Sequence, residues 1–175
     1  MNRPEQDLDL LSQAKSLHTT SPSNFDERST VQNCEKFVSF LLGAAIYCIP
    51  SVAVAEVVHL LRVAPLPNAP VSIAGIAAYR GEVIALVNIK EMLALEISAV
   101  TKKAKIIILR SNAKETQFAL PVDSMHELIN VTPDAITDDP SPSAAGMTRL
   151  LEYEGNIFKM IDPKILFERL EQSIN

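Results

Sequence analysis

The chain has 175 residues, of which 47% are hydrophobic, and its 16 Lys and Arg against 21 Asp and Glu leave a net charge of −5. This hydrophobic fraction can fill a sizeable core, so wholesale disorder is excluded, and the length favours one domain or two small ones. The acidic balance argues against a nucleic-acid-binding protein, because contacts to phosphates need clustered Lys and Arg.

The first 34 residues differ from the rest of the chain. They are polar and rich in Ser and Thr, with one short apolar pattern at Leu8, Leu10, Leu11 and Leu17. Such a composition buries too little apolar surface to hold a fixed structure, so residues 1–34 are predicted to form a disordered, flexible N-terminal tail. A peptide that docks on a partner is the alternative interpretation.

From residue 36 onward the sequence predicts a mainly β structure. Short runs rich in Val, Ile and aromatic residues alternate with turn signals, which is typical of a small barrel or sandwich. Two of the turns are Arg80-Gly81 and Glu154-Gly155, where glycine supplies the positive φ of a two-residue hairpin. The predicted strands are residues 36–42, 45–50, 56–63, 73–79, 82–89, 104–110, 116–122, 126–131, 148–153 and 156–161.

Helical signals are few. Ser51 can cap a short turn over residues 51–57, and residues 90–95 read as another short helix. The best-supported helix covers residues 163–172, because Asp162 can cap it and a proline occupies its first position.

The chain also contains a weak internal repeat. At an offset of 71 residues, YCIPSVAVAEVV (47–58) aligns with FALPVDSMHELI (118–129), and at an offset of 74, residues 80–88 align with 154–162. Matches in the same order suggest two copies of one strand-rich unit. We therefore predict two small five-stranded barrels, over about residues 37–100 and 101–172, since closure removes exposed sheet edges.

One apolar stretch, residues 37–61, is long enough to span a bilayer. Gly43 and Pro50 break it into shorter pieces and Glu56 would lie in lipid, so no span is predicted. Cys34 and Cys48 form no CxxC pair, and a reducing cytoplasm is the expected location.

Sequence patterns of catalysis are absent. There is no GxSxG, Walker A, GxGxxG or HExxH sequence, and His18, His59 and His126 are far apart. We therefore predict no catalytic residues, no metal and no cofactor. An acidic double-barrel protein of this kind is expected to act by holding partners, while an enzyme hidden in a barrel cleft is the alternative from another class.

The order of four segments resembles the CheW-like adaptor family of bacterial chemosensory systems. They are FxxFLLGxxxYxIP, VAEVV, PLPNAPxxIAGIAAYRGEVIALVNI and FALPVDSMHELINV. The resemblance runs from about Lys36 to Leu170 and is most specific from Pro65 to Ile89. It implies one CheW-like domain over residues 35–172, made of two five-stranded SH3-like barrels around a shared core and a C-terminal helix.

The resemblance also implies a function. Such adaptors are cytoplasmic and non-enzymatic, and they couple the cytoplasmic tips of methyl-accepting chemoreceptors to a CheA-type histidine kinase. Adaptor and kinase pair through a kinase regulatory domain of the same fold. The resemblance implies association with the membrane through these partners only. It implies neither membrane insertion nor binding to nucleic acid. A kinase-binding inhibitor or sink without receptor contact is the alternative.

Site residues are carried over by position. The receptor-binding groove is expected at Val54, Glu56, Val57 and Gly75, a hairpin surface for partners at Tyr79, Arg80 and Gly81, and a kinase-facing position at Val63.

The residues themselves allow other readings. Val54 and Val57 could be core valines. Arg80 could brace Glu56 within the fold instead of facing a partner, and Gly75 and Gly81 could serve backbone geometry first.

The hairpin departs from the family pattern. Family members usually read Asn-Leu-Arg-Gly where this chain has Ala78-Tyr79-Arg80-Gly81, so the tyrosine is expected to affect partner choice. Likewise, the following strand reads Ala-Leu-Val-Asn-Ile where Pro-Val-Ile-Asp-Leu is usual. The motility output, whether flagellar, pilus or gliding, is therefore left open.

Overall fold

The structure is a computed structural model that describes residues 34–97, 99–111, 116–140 and 148–174. The predicted N-terminal tail lies outside the described residues except for Cys34. The described strands are β1 (Glu35–Leu42), β2 (Ala45–Pro50), β3 (Val54–Val58), β4 (Val63–Ala64), β5 (Ile73–Tyr79), β6 (Glu82–Val87), β7 (Lys105–Arg110), β8 (Gln117–Val122), β9 (Ser124–Val131), β10 (Ile136–Asp138), β11 (Thr148–Tyr153) and β12 (Asn156–Ile161). The helices are α1 (Ile89–Met92) and α2 (Pro163–Ile174), and 3₁₀ turns cover Ser51–Ala53 and Pro133–Ala135.

The mainly β prediction is confirmed, with two additional short strands. The run predicted as one strand over residues 56–63 divides into β3 and the two-residue β4, and β10 has only three residues. Strands this short carry no alternation of apolar and polar residues, which is the signal that marks a strand in sequence. Each sheet therefore has six strands where five were predicted.

The strands form two sheets with the same internal order. The first sheet runs β10-β11-β12-β2-β1-β9, and the second runs β4-β5-β6-β8-β7-β3. Each sheet contains one parallel pair, β2 with β12 and β6 with β8, while the other neighbouring strands are antiparallel.

The predicted repeat appears in the register of these parallel pairs. Lys159 lies opposite Tyr47 in the first sheet, and Ala85 lies opposite Phe118 in the second. The same offsets of 74 and 71 residues that align the sequence relate these two pairs. Two copies of one unit are thus present in the chain.

The two sheets do not follow the predicted division into residues 37–100 and 101–172. The first sheet combines β1 and β2 with β9–β12, whereas the second combines β3–β6 with β7 and β8. The reason lies in two short connections: the 3₁₀ turn at Ser51–Ala53 carries the chain from β2 into the second sheet, and Asp123 carries it from β8 back into the first. The repeats therefore exchange their first hairpins.

Three clusters of buried side chains hold the sheets together. One cluster lies within the first sheet and includes Phe37, Cys48 and Phe158, and a second lies within the second sheet around Ile106 and Ile108. The largest draws on both sheets and both helices; its members include Phe40, Tyr47, Leu109, Phe118, Leu120, Leu166 and Leu170. This shared core joins the two sheets into one body.

The C-terminal helix α2 confirms the prediction made for residues 163–172. The Oδ1 atom of Asp162 accepts the backbone N–H of Lys164 at 2.8 Å, which is the capping bond that the sequence indicated. Leu166 and Leu170 are fully buried on one side of the helix. Among the described residues, no helix combines the length and apolar character needed to cross a membrane.

Candidate functional site

Three predicted site residues meet in one hydrogen-bonded group, which we call the Glu56 cluster: Glu56, Tyr79 and Arg80. The Tyr79 hydroxyl donates to Oε2 of Glu56 at 2.6 Å. Nη2 of Arg80 donates to the same oxygen, also at 2.6 Å. The Arg80 guanidinium in turn lies 5.5 Å from the centre of the Tyr79 ring. The brace between Arg80 and Glu56 that the sequence suggested is therefore present.

The cluster forms where the second sheet curls onto itself. Glu56 belongs to β3, the strand at one edge of that sheet, while Tyr79 ends β5 near the opposite edge. A bulge between Val54 and Glu56 on β3 locally changes the direction of the strand. The Tyr79–Glu56 bond therefore crosses the seam between the two edges.

The hairpin turn supplies the third member of the cluster. Arg80 and Gly81 have φ values of +51° and +85°, the left-handed pair that a two-residue hairpin requires. Glycine adopts this conformation without steric cost, whereas arginine does not. Arg80 thus has an unfavourable backbone conformation, and its guanidinium contacts Glu56 and the Tyr79 ring.

The Glu56 cluster is accessible from solvent. The side chains of Arg80 and Glu56 are 72% and 37% exposed, so this ion pair contributes only about 0–1 kcal/mol to stability. The hydrogen bond to Glu56 is the largest of the effects that raise the pKa of Tyr79, because only the protonated hydroxyl can donate it. A charged and hydrogen-bonded group thus faces outward at the hairpin.

The bulge on β3 places Val54 and Glu56 on opposite faces of the strand, with Val57 on the face of Val54. Val54 is half-buried and packs against the shared core, whereas the next-but-two residue, Val57, is 39% exposed. Val54 and Val57 lie opposite Leu109 and Ile107, which both belong to the shared core. Glu56 lies opposite Ile108, which belongs to the separate cluster of the second sheet. Hence the four residues expected at the groove do not form one continuous lining.

Gly75 lies under β4, beside the predicted kinase-facing residue. A Cβ atom at Gly75 would be 2.6 Å from the carbonyl oxygen of Ala64 and 2.8 Å from Cγ1 of Val63. Val63 itself is 42% exposed. Gly75 is thus buried and its absent side chain allows the close approach of β4, which agrees with a primary role in backbone geometry.

The repeat places a matching hairpin in the first sheet. Tyr153, Glu154 and Gly155 stand where Tyr79, Arg80 and Gly81 stand in the second sheet, and Glu154 has the same left-handed φ, at +49°. The charge at the central position is reversed, and the negative charge of Glu154 is the main effect that raises the pKa of Tyr153. The two hairpins share a backbone but differ in chemistry.

The carboxylate that matches Glu56 in the repeat is Glu127 on β9. Its Oε1 atom lies 3.5 Å from Nε2 of His126. This partner comes from the same strand, whereas Glu56 takes its partners from the hairpin across the seam.

Two pockets occur at equivalent places in the repeat, and the sequence interpretation did not identify them. One of about 580 Å³ lies between the 3₁₀ turn after β2 and the start of α2; its lining includes Pro50, Val52, Ala53, Arg110, Pro163 and Phe167. A smaller one of about 180 Å³ lies at the start of α1; its lining includes Leu60, Ile89, Lys90, Ile97, Pro121 and Asp123. Pro50 at the end of β2 and Pro121 near the end of β8 occupy matching positions in the repeat and line the two pockets. This repeated proline is the sequence signal that could have indicated the pockets. Within the described ranges, no three His, Cys, Asp or Glu side chains are grouped so that they could hold a metal ion.

Comparisons with known proteins agree with this architecture. The family model of the CheW-like domain matches residues 36–171. The chemotaxis protein CheW of Rhizobium meliloti (strain 1021) is 24% identical over 144 residues, covering 78% of this chain and 90% of that protein. The chemotaxis protein CheW of Helicobacter pylori (strain ATCC 700392 / 26695) is 25% identical over 137 residues, covering 78% of this chain and 79% of that protein.

A solved structure is also similar. The crystal structure of the scaffolding protein TtCheW from Thermoanaerobacter tengcongensis superposes with a TM-score of 0.69 at 25% identity, covering 77% of this chain and 93% of that chain. The family model, the relatives and the fold all cover the region of the two exchanged repeats, and the chain belongs to the CheW-like family.

Proposed function

We propose that this chain is a non-enzymatic cytoplasmic adaptor that couples the cytoplasmic tip of a chemoreceptor to the regulatory domain of a CheA-type histidine kinase. Family membership and relatives that are chemotaxis and scaffolding proteins support this proposal. The observation that carries it is the exposed Glu56 cluster, since its charges can meet a partner without any unfolding.

The receptor tip is proposed to bind along β3, the edge strand of the second sheet, where Val54 and Glu56 flank the bulge. Helix-in-groove recognition depends on a few apolar anchors next to well-placed polar groups. Val54 provides apolar surface that is half-buried in the free chain, and Glu56 provides the polar group. Val57 lies on the face of Val54 and is 39% exposed, so it would add a second apolar contact. Gly75 would act through the position of β4.

The kinase domain is proposed to approach the side where β4 and the hairpin lie. Val63 presents an exposed apolar side chain there, and Tyr79, Arg80 and Gly81 form the adjoining hairpin surface. Receptor and kinase would then occupy neighbouring surfaces of one sheet.

Binding measurements with separate partners test the proposal. The full chain is titrated calorimetrically with a receptor-tip fragment, with the kinase regulatory domain, and with both together; binding to each alone and a ternary complex are expected. Binding to the kinase domain alone would instead favour the inhibitor or sink. Binding to neither, together with turnover in a substrate screen, would contradict an adaptor role.

A variant locates the receptor surface. Val54→Thr keeps the shape of the side chain and adds a hydroxyl, whose unpaired burial under a bound helix costs about 1–3 kcal/mol. Receptor affinity should fall by a factor of about 5 to 140, on the scale where about 1.4 kcal/mol is tenfold. Kinase affinity should stay within a factor of about three, roughly 0.65 kcal/mol on the same scale. A parallel loss of both affinities with a lowered melting temperature would make Val54 a core residue only.

A further inference from the structure

Glu56 uses only one of its two carboxylate oxygens within the described residues. The hydroxyl of Tyr79 and the guanidinium of Arg80 both donate to Oε2. In the part of the chain that the structure describes, Oε1 receives no hydrogen bond. An ionised carboxylate only accepts hydrogen bonds and can accept several, so Oε1 offers an acceptor for an outside donor.

Of the two donors, Tyr79 is the one whose position the fold determines. Its ring is half-buried and packs against the core of the second sheet, and its hydroxyl direction depends on two torsion angles. The Arg80 side chain is long and 72% exposed, and exposed ion pairs of this kind fix geometry poorly. The Tyr79 ring also underlies the Arg80 guanidinium. Tyr79 therefore limits the movement of both charged partners.

The matching hairpin shows what the same backbone does without this arrangement. Tyr153 is beside the anionic Glu154, and the equivalent carboxylate, Glu127, pairs with His126 on its own strand. No cation stands at the centre of that hairpin. The matching tyrosine thus provides a control for the chemistry of the Glu56 cluster, at an equivalent place in the fold.

We propose that Tyr79 is a positioning residue whose hydroxyl fixes Glu56 through Oε2, so that Oε1 is presented to an N–H donor on the bound receptor tip. The inference rests on the proposed adaptor function and adds the chemistry of one contact. A carboxylate or carbonyl has no proton to donate to Oε1. Among donors, a guanidinium or ammonium N–H also carries the charge opposite to that of Glu56, so a cationic N–H is the partner group that Oε1 favours.

The test removes the hydroxyl and nothing else. Tyr79→Phe keeps the ring, so the melting temperature should change little while affinity for the receptor-tip fragment falls about fivefold. If Tyr79 acts through Glu56, the same substitution in a Glu56→Gln background should change affinity by less than twofold. Tyr153→Phe, the matched control, should bind as the wild type does.

A second readout needs no partner. Absorbance titration of the free wild-type chain minus that of Tyr79→Phe isolates the ionisation of Tyr79, and Glu56→Gln should lower the pKa of that tyrosine towards its ordinary value. A wild-type chain that binds no receptor fragment overturns the proposed function and the presentation of Oε1 together, yet a Glu56-dependent Tyr79 pKa would still support the positioning bond.

Other outcomes overturn the positioning role itself. Wild-type affinity in Tyr79→Phe would show that the hydroxyl is not needed. An undiminished fivefold loss in the Glu56→Gln background would show that Tyr79 contacts the partner directly. An equal loss in Tyr153→Phe would show that the effect is not specific to the Glu56 cluster.

Discussion

Among the described glycines, Gly75 is the one where an added Cβ atom would meet neighbouring atoms. Its φ of +149° is rarely adopted by other residues, which corresponds to about 1–3 kcal/mol of strain for an alanine. The added Cβ would approach the Ala64 carbonyl to 2.6 Å and Val63 Cγ1 to 2.8 Å, and such overpacking costs about 1–3 kcal/mol more. Because β4 has only two residues and lies at the edge of its sheet, few contacts oppose a shift, and we expect the lower part of the sum, about 2–4 kcal/mol for Gly75→Ala.

Chemical unfolding monitored by circular dichroism measures this loss, since the chain contains no tryptophan for fluorescence. Gly81→Ala is the matched control, with a φ of +85°. Its chain neighbours aside, no atom of the described residues lies within 4 Å of the added Cβ, so only strain of about 1–2 kcal/mol remains. If Gly75→Ala destabilises the chain no more than Gly81→Ala does, close packing of β4 is not the reason for glycine. The displaced β4 should also weaken kinase binding through Val63.

Three further experiments test other parts of the fold. Ser39 is fully buried, and its hydroxyl donates to the Glu127 carbonyl at 2.7 Å and accepts the Glu127 N–H at 2.9 Å. Ser39→Ala should therefore reduce the free energy of unfolding by about 1–3 kcal/mol, and an unchanged denaturation midpoint would contradict this. Burial raises the pKa of the Cys48 thiol to about 12, so a thiol reagent at pH 8 should modify exposed Cys34 alone in the native chain and both thiols in denaturant. Asp162→Ala removes the cap of α2 and should cost about 0.5–2 kcal/mol, with Asp162→Asn closer to the wild type; equal stability of all three would make the cap irrelevant.

Local structure was largely predictable because its signals lie close together in the sequence. The strand over residues 73–79 and its hairpin partner are marked by apolar runs on either side of Arg80-Gly81, and the structure places them there. Assignment of strands to sheets was not predictable from the repeat. Two similar units contain equivalent hairpins, so each first hairpin fits either sheet, and only the short connection at Ser51–Ala53 decides.

The candidate site shows the same limit. An ion pair between Arg80 and Glu56 could be anticipated, because an arginine is unusual at a turn position and its guanidinium binds carboxylates. The hydrogen bond from Tyr79 could not, since it depends on how far the sheet curls before β3 meets β5. The reason for Gly75 was hidden too, because β4 is too short to be recognised as a strand.

The exchange of first hairpins between the repeats makes the two sheets mechanically inseparable. The chain passes between them twice, through three residues after β2 and through Asp123 after β8, and neither connection is long enough for a flexible hinge. The first sheet also cannot be completed during synthesis until β12 exists. Its opening hairpin ends at Pro50, whereas its partners β9 and β12 begin only at Ser124 and Asn156. Binding at a surface of one sheet can therefore affect the other sheet only through small shifts of side chains in the shared core, since the two sheets cannot separate.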